Sequence, residues 1–468
     1  MAEQQKITKK TRKKIIGTVL ALCCLVLFWF IIPPSEAMPK EALLYCGIFT
    51  AWLCTMIFQV CEMFVSGGIA LVLLVLSGLY TTSEVLGKGF SSSTIWFIIY
   101  AYAFTTAVNK TGVFTRIVLR LLSVFPESFT GQVLALTSSA VIVNPMIPSG
   151  QAKIGIFAPI AEQVARQYNY PQHSKPAVGL FLSCWQQTAF QTIAWGTSTA
   201  YVLTSSLTGI STSFFGYIKL TGMWLAVFTV LWTIYVMTQY RPTDESMTVE
   251  KGSVKKKLEE LGPMNKAEKI GGIILLITVA LWMTESIHGI SSMIVAVIAF
   301  AACALTGLMS GRDIGSSVPW SLVMGMFPLM TLSGGMREFG VDQFLINTIT
   351  PYIGWISNPF IYVLFVIFIA YAIRQVSSDV STCVIITFSA LGPIGAALGI
   401  PTLCTAFAAF ASTSIYNIKG ISLAWLFADG ASKGWIDYED VRPSVWIYAA
   451  VNVIALLCCV PVWLNTTL

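Results

Sequence analysis

Long, continuous apolar runs dominate this chain of 468 residues, and they are neither alternating nor one-sided. Residues 15–32, 43–60, 64–80, 223–237, 270–283, 287–308, 360–373 and 445–464 carry almost no charge. Several approach the roughly 20 residues that a helix needs to cross hydrocarbon. The lack of alternation argues against a β-barrel. The pattern therefore predicts an all-α polytopic membrane protein.

Composition agrees, with 56% hydrophobic and 11% charged residues where a soluble domain carries about 25% charged. The mean hydropathy is +0.75. The run 15–33 follows Lys9, Lys10, Arg12, Lys13 and Lys14. It is long for a signal peptide, and Pro33-Pro34-Ser35-Glu36-Ala37 is a weak cleavage site, so it reads as an uncleaved first helix. The eleven cysteines stand singly or as the pairs Cys23-Cys24 and Cys458-Cys459, with no C-x-x-C spacing. They read as small membrane-core residues, not as disulfides or metal ligands. The net charge of +6 comes largely from the N-terminal tail, which bears on topology and not on nucleic-acid binding.

The positive-inside rule places the basic tail 1–14 and the charged linker 239–269 in the cytoplasm. Six crossings fit between them, at 15–32, 43–60, 64–83, 94–122, 178–210 and 213–238, with 131–166 as a re-entrant hairpin. The second half gives 268–286, 287–308, 318–350, a hairpin at 358–398, then 401–428 and 441–464. Units 43–238 and 270–464 each cross five times, about 11 crossings in all with the first helix. An odd number inserts the second unit upside down, with the N-terminus cytoplasmic and Leu468 extracytoplasmic.

The two units also echo each other in sequence. Ser77-Gly78-Leu79 then Trp96 returns as Thr306-Gly307-Leu308 then Trp320. Asn109-Lys110-Thr111-Gly112-Val113 returns as Arg337-Glu338-Phe339-Gly340-Val341. Pro148-Ser149-Gly150-Gln151 returns as Val376-Ser377-Ser378-Asp379, and the stretch from Trp195 to Tyr201 as Phe410 to Tyr416. Backbone freed from a helix in hydrocarbon costs several kcal/mol per group unless protein or a wet cavity satisfies it. Polar islands repeated at this depth therefore read as two hairpin tips and two broken helices around one site, the architecture of many secondary transporters. Isolated hydroxyls such as Ser138 or Ser291 read as ordinary bonds back to their own helix.

At these islands the chain resembles the divalent anion/sodium symporter family, whose members carry dicarboxylates and citrate. The run Leu261-Gly262-Pro263-Met264, Glu268-Lys269, Leu281-Trp282-Met283-Thr284 is similar to the family's entry into its second repeat. The resemblance implies two inverted repeats, each with a re-entrant hairpin and an interrupted helix, elevator-like motion and a homodimer. The family's tips carry Ser-Asn-Thr. Here the first tip, Ser149-Gly150-Gln151-Ala152-Lys153, is similar to the Ser-Asn-Thr-Ala-Arg form of its exchanger branch, with Lys153 at the arginine. The second reads Ser377-Ser378-Asp379, preceded by Arg374.

A dianion in a low-dielectric site needs neutralising charge. A fixed lysine would replace bound sodium, and the unpaired cation left in the empty carrier would favour obligatory exchange. Lys153, with Arg374, is the candidate for that charge. Ser149, Gly150, Gln151, Ser377 and Ser378 would receive the carboxylates, and Thr197, Ser198, Ser412 and Thr413 would line the wall. The alternative is that Lys153 and Arg374 snorkel to the interface or pair with Asp379. Asp379 would bond Arg374 or keep a residual sodium site. No cofactor is expected, and sodium stays open.

The expected cargo is a 2-oxoglutarate, malate or succinate type of dicarboxylate, carried across a bacterial inner membrane. Sodium-coupled dicarboxylate symport, or another anion such as sulfate, an oxyanion or gluconate, is the alternative. A membrane enzyme is remote, since only His173 and His288 are present and no HExxH, nucleophile elbow or Walker motif occurs.

Overall fold

The computed structural model describes residues 2–36, 38–147, 150–189, 191–242, 258–318, 320–341, 344, 356–375, 380–417 and 423–466. Helix α1 (Ala2–Val26) opens the chain and ends in a π-turn, Leu27–Ile31. The first half follows with α2 (Lys40–Ile57), α3 (Met63–Leu76), α4 (Thr82–Phe90), α5 (Ser93–Lys110), α6 (Val113–Val124), α7 (Phe129–Val143), α8 (Gly150–Gln167), α9 (Lys175–Ala189), α10 (Thr199–Thr208) and α11 (Phe214–Gln239). The second half holds α12 (Lys266–Met283), α13 (Ser292–Leu305), α14 (Gly311–Ser317), α15 (Trp320–Glu338), α16 (Pro359–Arg374), α17 (Val380–Ala397), α18 (Thr402–Thr413), α19 (Leu423–Ser432) and α20 (Ser444–Leu464). No strand occurs among the described residues. Five of the described helices are long and apolar enough to cross a membrane: Thr11–Ile31, Lys40–Ile57, Phe214–Gln239, Val380–Ala397 and Ser444–Leu464.

The basic residues of the tail are helical and continue into the first apolar run as α1. The crossing 94–122 is divided, because Gly112 takes a left-handed turn (φ +86°) that ends α5 and starts α6 in a new direction. Arg116 anchors the new direction from inside α6.

The halves exchange packing partners reciprocally. Helix α5 lies against α13 as α15 lies against α3, and α4 meets α15 as α14 meets α5. Helices α8 and α9 pair as α17 and α18 do, while α11 and α20 pair with each other across the seam. The short helices α4 and α14 even begin alike, with the backbone N–H of Thr81 donating to Glu84 (2.7 Å) and that of Ser310 to Asp313 (2.8 Å). Each is then held by an ion pair to the end of the other half's long helix, Lys88 to Glu338 and Asp313 to Lys110 (2.7 Å), with the charges swapped. These pairs are exposed, so they set register more than stability.

Aromatic rings fill the seam between α11 and α20. Trp224, Phe228 and Trp232 run along α11, and Phe228 and Trp232 meet Tyr448 edge-on at 5.2 and 6.1 Å. Fully buried Asn452 serves three helices here. It accepts from Trp224 Nε1 (2.9 Å) and donates to Tyr371 Oη (3.2 Å) and Ser412 Oγ (3.5 Å). Replacing Asn452 with alanine leaves the Trp224 N–H buried without its acceptor, at about 1–3 kcal/mol. Thermal unfolding of the detergent-purified protein should record that loss, and an unchanged midpoint would contradict it.

His173 joins the loop after α8 to the loop before α20. Its backbone N–H donates to Trp435 O (3.0 Å) and its Nδ1 lies 2.7 Å from Asp440 Oδ2. The hydrogen bond to Asp440, with the charges of Asp440 and Asp437, lifts His173 above the usual imidazole range. A raised folded value means the charged link is complete below the ordinary value and fades as pH climbs through the raised one. Amide exchange in 168–175 should therefore speed up as pH rises above the ordinary imidazole range, beyond its intrinsic pH dependence. The His173→Ala protein should lack that extra acceleration.

Candidate functional site

The turn that ends α7 and the break between α9 and α10 are sewn together. Pro145, which has no N–H to donate, ends α7 in the 3-10 turn Asn144–Met146. Helix α9 ends at Ala189 and is followed by the 3-10 turn Gln191–Ala194 before Ser198 caps α10. Lys153, on the second turn of α8 and with none of its surface exposed, reaches between the two turns. Its Nζ donates to Asn144 O (3.0 Å), Asn144 Oδ1 (3.1 Å) and the Thr192 hydroxyl. Three neutral oxygens surround Nζ, so the buried amino group is hydrogen-bonded on every side. It neither reaches solvent nor snorkels.

Thr197 strengthens the seam by donating to Pro145 O (3.0 Å). Ser198 Oγ accepts from Tyr201 N (3.1 Å) and so starts α10 at the break. The freed carbonyls are also satisfied, as Tyr217 donates to Ile193 O (3.2 Å) and Thr221 to Ala194 O (2.7 Å). Thr105 of α5 donates to Met146 O (3.4 Å) in the turn after α7. The breaks persist because side chains from α5 and α11 replace the lost helix bonds.

The second half is tied in a parallel way by other residues. Gln375, just after α16, exchanges amide hydrogen bonds with Asn417, just after α18. Ser412 and Thr413, expected along the wall of the site, are both buried. Both sit in the last turn of α18 and donate to its own carbonyls, Ala408 O (2.8 Å) and Phe410 O (2.9 Å). A hydroxyl on a helix does this by default when nothing better lies within reach. Arg374 closes α16 and is buried. Gly150 and Gln151 begin α8. Ser149, Ser377, Ser378 and Asp379, and the side chain of Gln151, lie outside the described residues.

A cavity of about 220 Å³ leads toward the first break. It is lined by Gly196 and Tyr201 from the break, by Ser213 and Phe214 at the start of α11, and by Glu285 and Ser292. Glu285 is held at this rim by Ser292 Oγ (2.7 Å) and Phe214 N (3.4 Å). Sequence reasoning missed Asn144, Thr192, Asn452 and Asn417. Asn144-Pro145 next to the tip was the available signal for the first of these.

Comparison with known proteins follows the same lines. The family described as the sodium:sulfate symporter transmembrane region matches residues 12–423. Dicarboxylate transporter 1, chloroplastic, of Arabidopsis thaliana is 25% identical over 421 residues, 84% of this chain and 72% of that protein. The putative malate transporter YflS of Bacillus subtilis is 24% identical over 366 residues, 74% of each chain. The structure of Neisseria gonorrhoeae MtrF, from a class of antimetabolite efflux pumps, superposes with a TM-score of 0.59 at 11% identity. That match covers 97% of this chain and 94% of MtrF, and it shows likeness of fold alone.

Proposed function

We propose, for a chain that belongs to the sodium:sulfate symporter transmembrane-region family, that it is a secondary carrier of dicarboxylate anions working by sodium-independent exchange. The observation that carries this reading is Lys153. Its ligands are a backbone carbonyl, an amide oxygen and a hydroxyl, the neutral oxygen set that would suit a small cation. On this reading the tethered ammonium stands where a coupling ion would otherwise bind. It leaves a fixed positive charge beneath the first tip.

A dicarboxylate would rest between Ser149, Gly150 and Gln151 of the first tip and Ser377 and Ser378 of the second. Thr197 and Ser198 would hold the break that faces it. Bound dianion compensates Lys153, and the empty site does not. Reorientation of the empty carrier is therefore costly and exchange is favoured. The reciprocal packing of the halves supports inverted repeats, with α7–α8 and α16–α17 as the re-entrant hairpins. Helices α2–α5 and α12–α15 would form the static part of a homodimer in a bacterial inner membrane. The remaining elements would carry the site in an elevator-like motion.

The family description names sodium and sulfate, which favours sodium-driven oxyanion transport as the second reading. Uptake of labelled succinate into liposomes should be competed by excess malate or 2-oxoglutarate and not by sulfate. Competition by sulfate alone would favour the second reading.

A further inference from the structure

Arg337 sits at the end of α15, one residue before Glu338, yet the two have different fates. Glu338 is taken by Lys88 and by the Tyr80 hydroxyl (2.6 Å). Among the described residues, no carboxylate comes within 4.0 Å of the Arg337 guanidinium. Its recorded hydrogen bond is donated by Nη2 to Thr208 O, at the last turn of α10. One carbonyl leaves most of the five N–H donors of a guanidinium unused.

The guanidinium lines a cavity of about 110 Å³ between α10, α15 and α17. Ser389 and Thr402 line the same cavity, and neither hydroxyl donates a hydrogen bond to another described residue. The backbone makes room for the arginine. Gly209 takes a left-handed conformation (φ +65°), and a Cβ there would come within 3.3 Å of Arg337 Nη1. A cation with no carboxylate beside it among the described residues, set in a partly closed cleft, raises the local concentration of anions. A forked donor selects carboxylates among them.

We propose that this cleft is a capture site for one carboxylate of the incoming anion, outside the central site and upstream of it. This rests on the carrier reading above. Arg337 clamps the carboxylate bidentately, and Ser389 and Thr402 donate to its remaining lone pairs. On the topology read from the sequence, Arg337 lies at the extracytoplasmic end of its crossing, so the site serves entry from outside. The cleft lies between α15 of the static part and α10 and α17 of the moving part. A captured anion is thus placed on the boundary it has to cross.

The test is exchange in right-side-out vesicles loaded with unlabelled succinate, with external labelled succinate titrated. For Arg337→Gln we expect the external KM to rise about ten-fold, equivalent to about 1.4 kcal/mol of binding, with the maximal rate within about two-fold. Arg337→Lys should recover part of the affinity. Added salt should raise the KM of the unaltered protein more than that of Arg337→Gln. An unchanged KM in Arg337→Gln would overturn the capture site. So would a fallen maximal rate at unchanged KM, which would make Arg337 a structural tie to α10. Failure of the unaltered protein to transport succinate would instead sink the carrier reading, so the two failures are distinguishable.

Discussion

Lys153→Ala is expected to abolish dicarboxylate exchange, with residual counterflow at most about 1% of the unaltered rate. Two effects add. On the carrier reading, the substitution removes a fixed positive charge beside the first break. It also strips the donors from Asn144 O, Asn144 Oδ1 and Thr192 Oγ1, at about 1–3 kcal/mol for each oxygen left unsatisfied. Lys153→Gln separates the two, because it keeps donors and loses charge. It should fold, as judged by size-exclusion elution in detergent, and still fail to exchange. If Lys153→Gln folds and exchanges normally, the charge is not what matters.

The second large effect is on stability and concerns Arg116. Its guanidinium pairs with both oxygens of Glu268 (3.2 and 3.1 Å), and also donates to Gly262 O (2.8 Å) and Leu261 O (3.3 Å). Both side chains are 8% exposed. Removing one member of a buried pair leaves the other uncompensated, which costs about 3–5 kcal/mol. The low end applies here, because Glu268 also accepts from Asn265 N (2.8 Å) at the start of α12. Arg116→Ala should therefore lower the thermal midpoint by several degrees. Arg116→Lys should recover only part of it, since an ammonium cannot replace the fork. A midpoint equal to that of the unaltered protein would show that the linker reaching α12 does not depend on this anchor.

Helices were legible in the sequence because continuous apolar runs have few other solutions. The reciprocal packing of the halves is in keeping with the repeat proposed from the polar islands, which are conspicuous against such runs. Partners were harder. Lys153 could be singled out as a charge beside a tip, but its acceptors lie 9 and 39 residues away, and no local pattern specifies such pairs. Asn452 is one polar residue in an apolar run, and only the helices packed around it give it a role. The turn at Gly112 was signalled by Asn109-Lys110-Thr111 before it, but the apolar runs farther out on both sides made 94–122 read as one segment. The hydroxyls of Ser412 and Thr413 bond back to their own helix, which a Ser/Thr island in the sequence does not reveal.

The central claim is that a tethered ammonium replaces a coupling ion, and counterflow in proteoliposomes tests it most directly. Internal unlabelled succinate and external sodium would be varied independently while uptake of labelled succinate is followed. The account predicts uptake that requires internal succinate and is indifferent to sodium. Uptake into empty vesicles driven by an inward sodium gradient would contradict it.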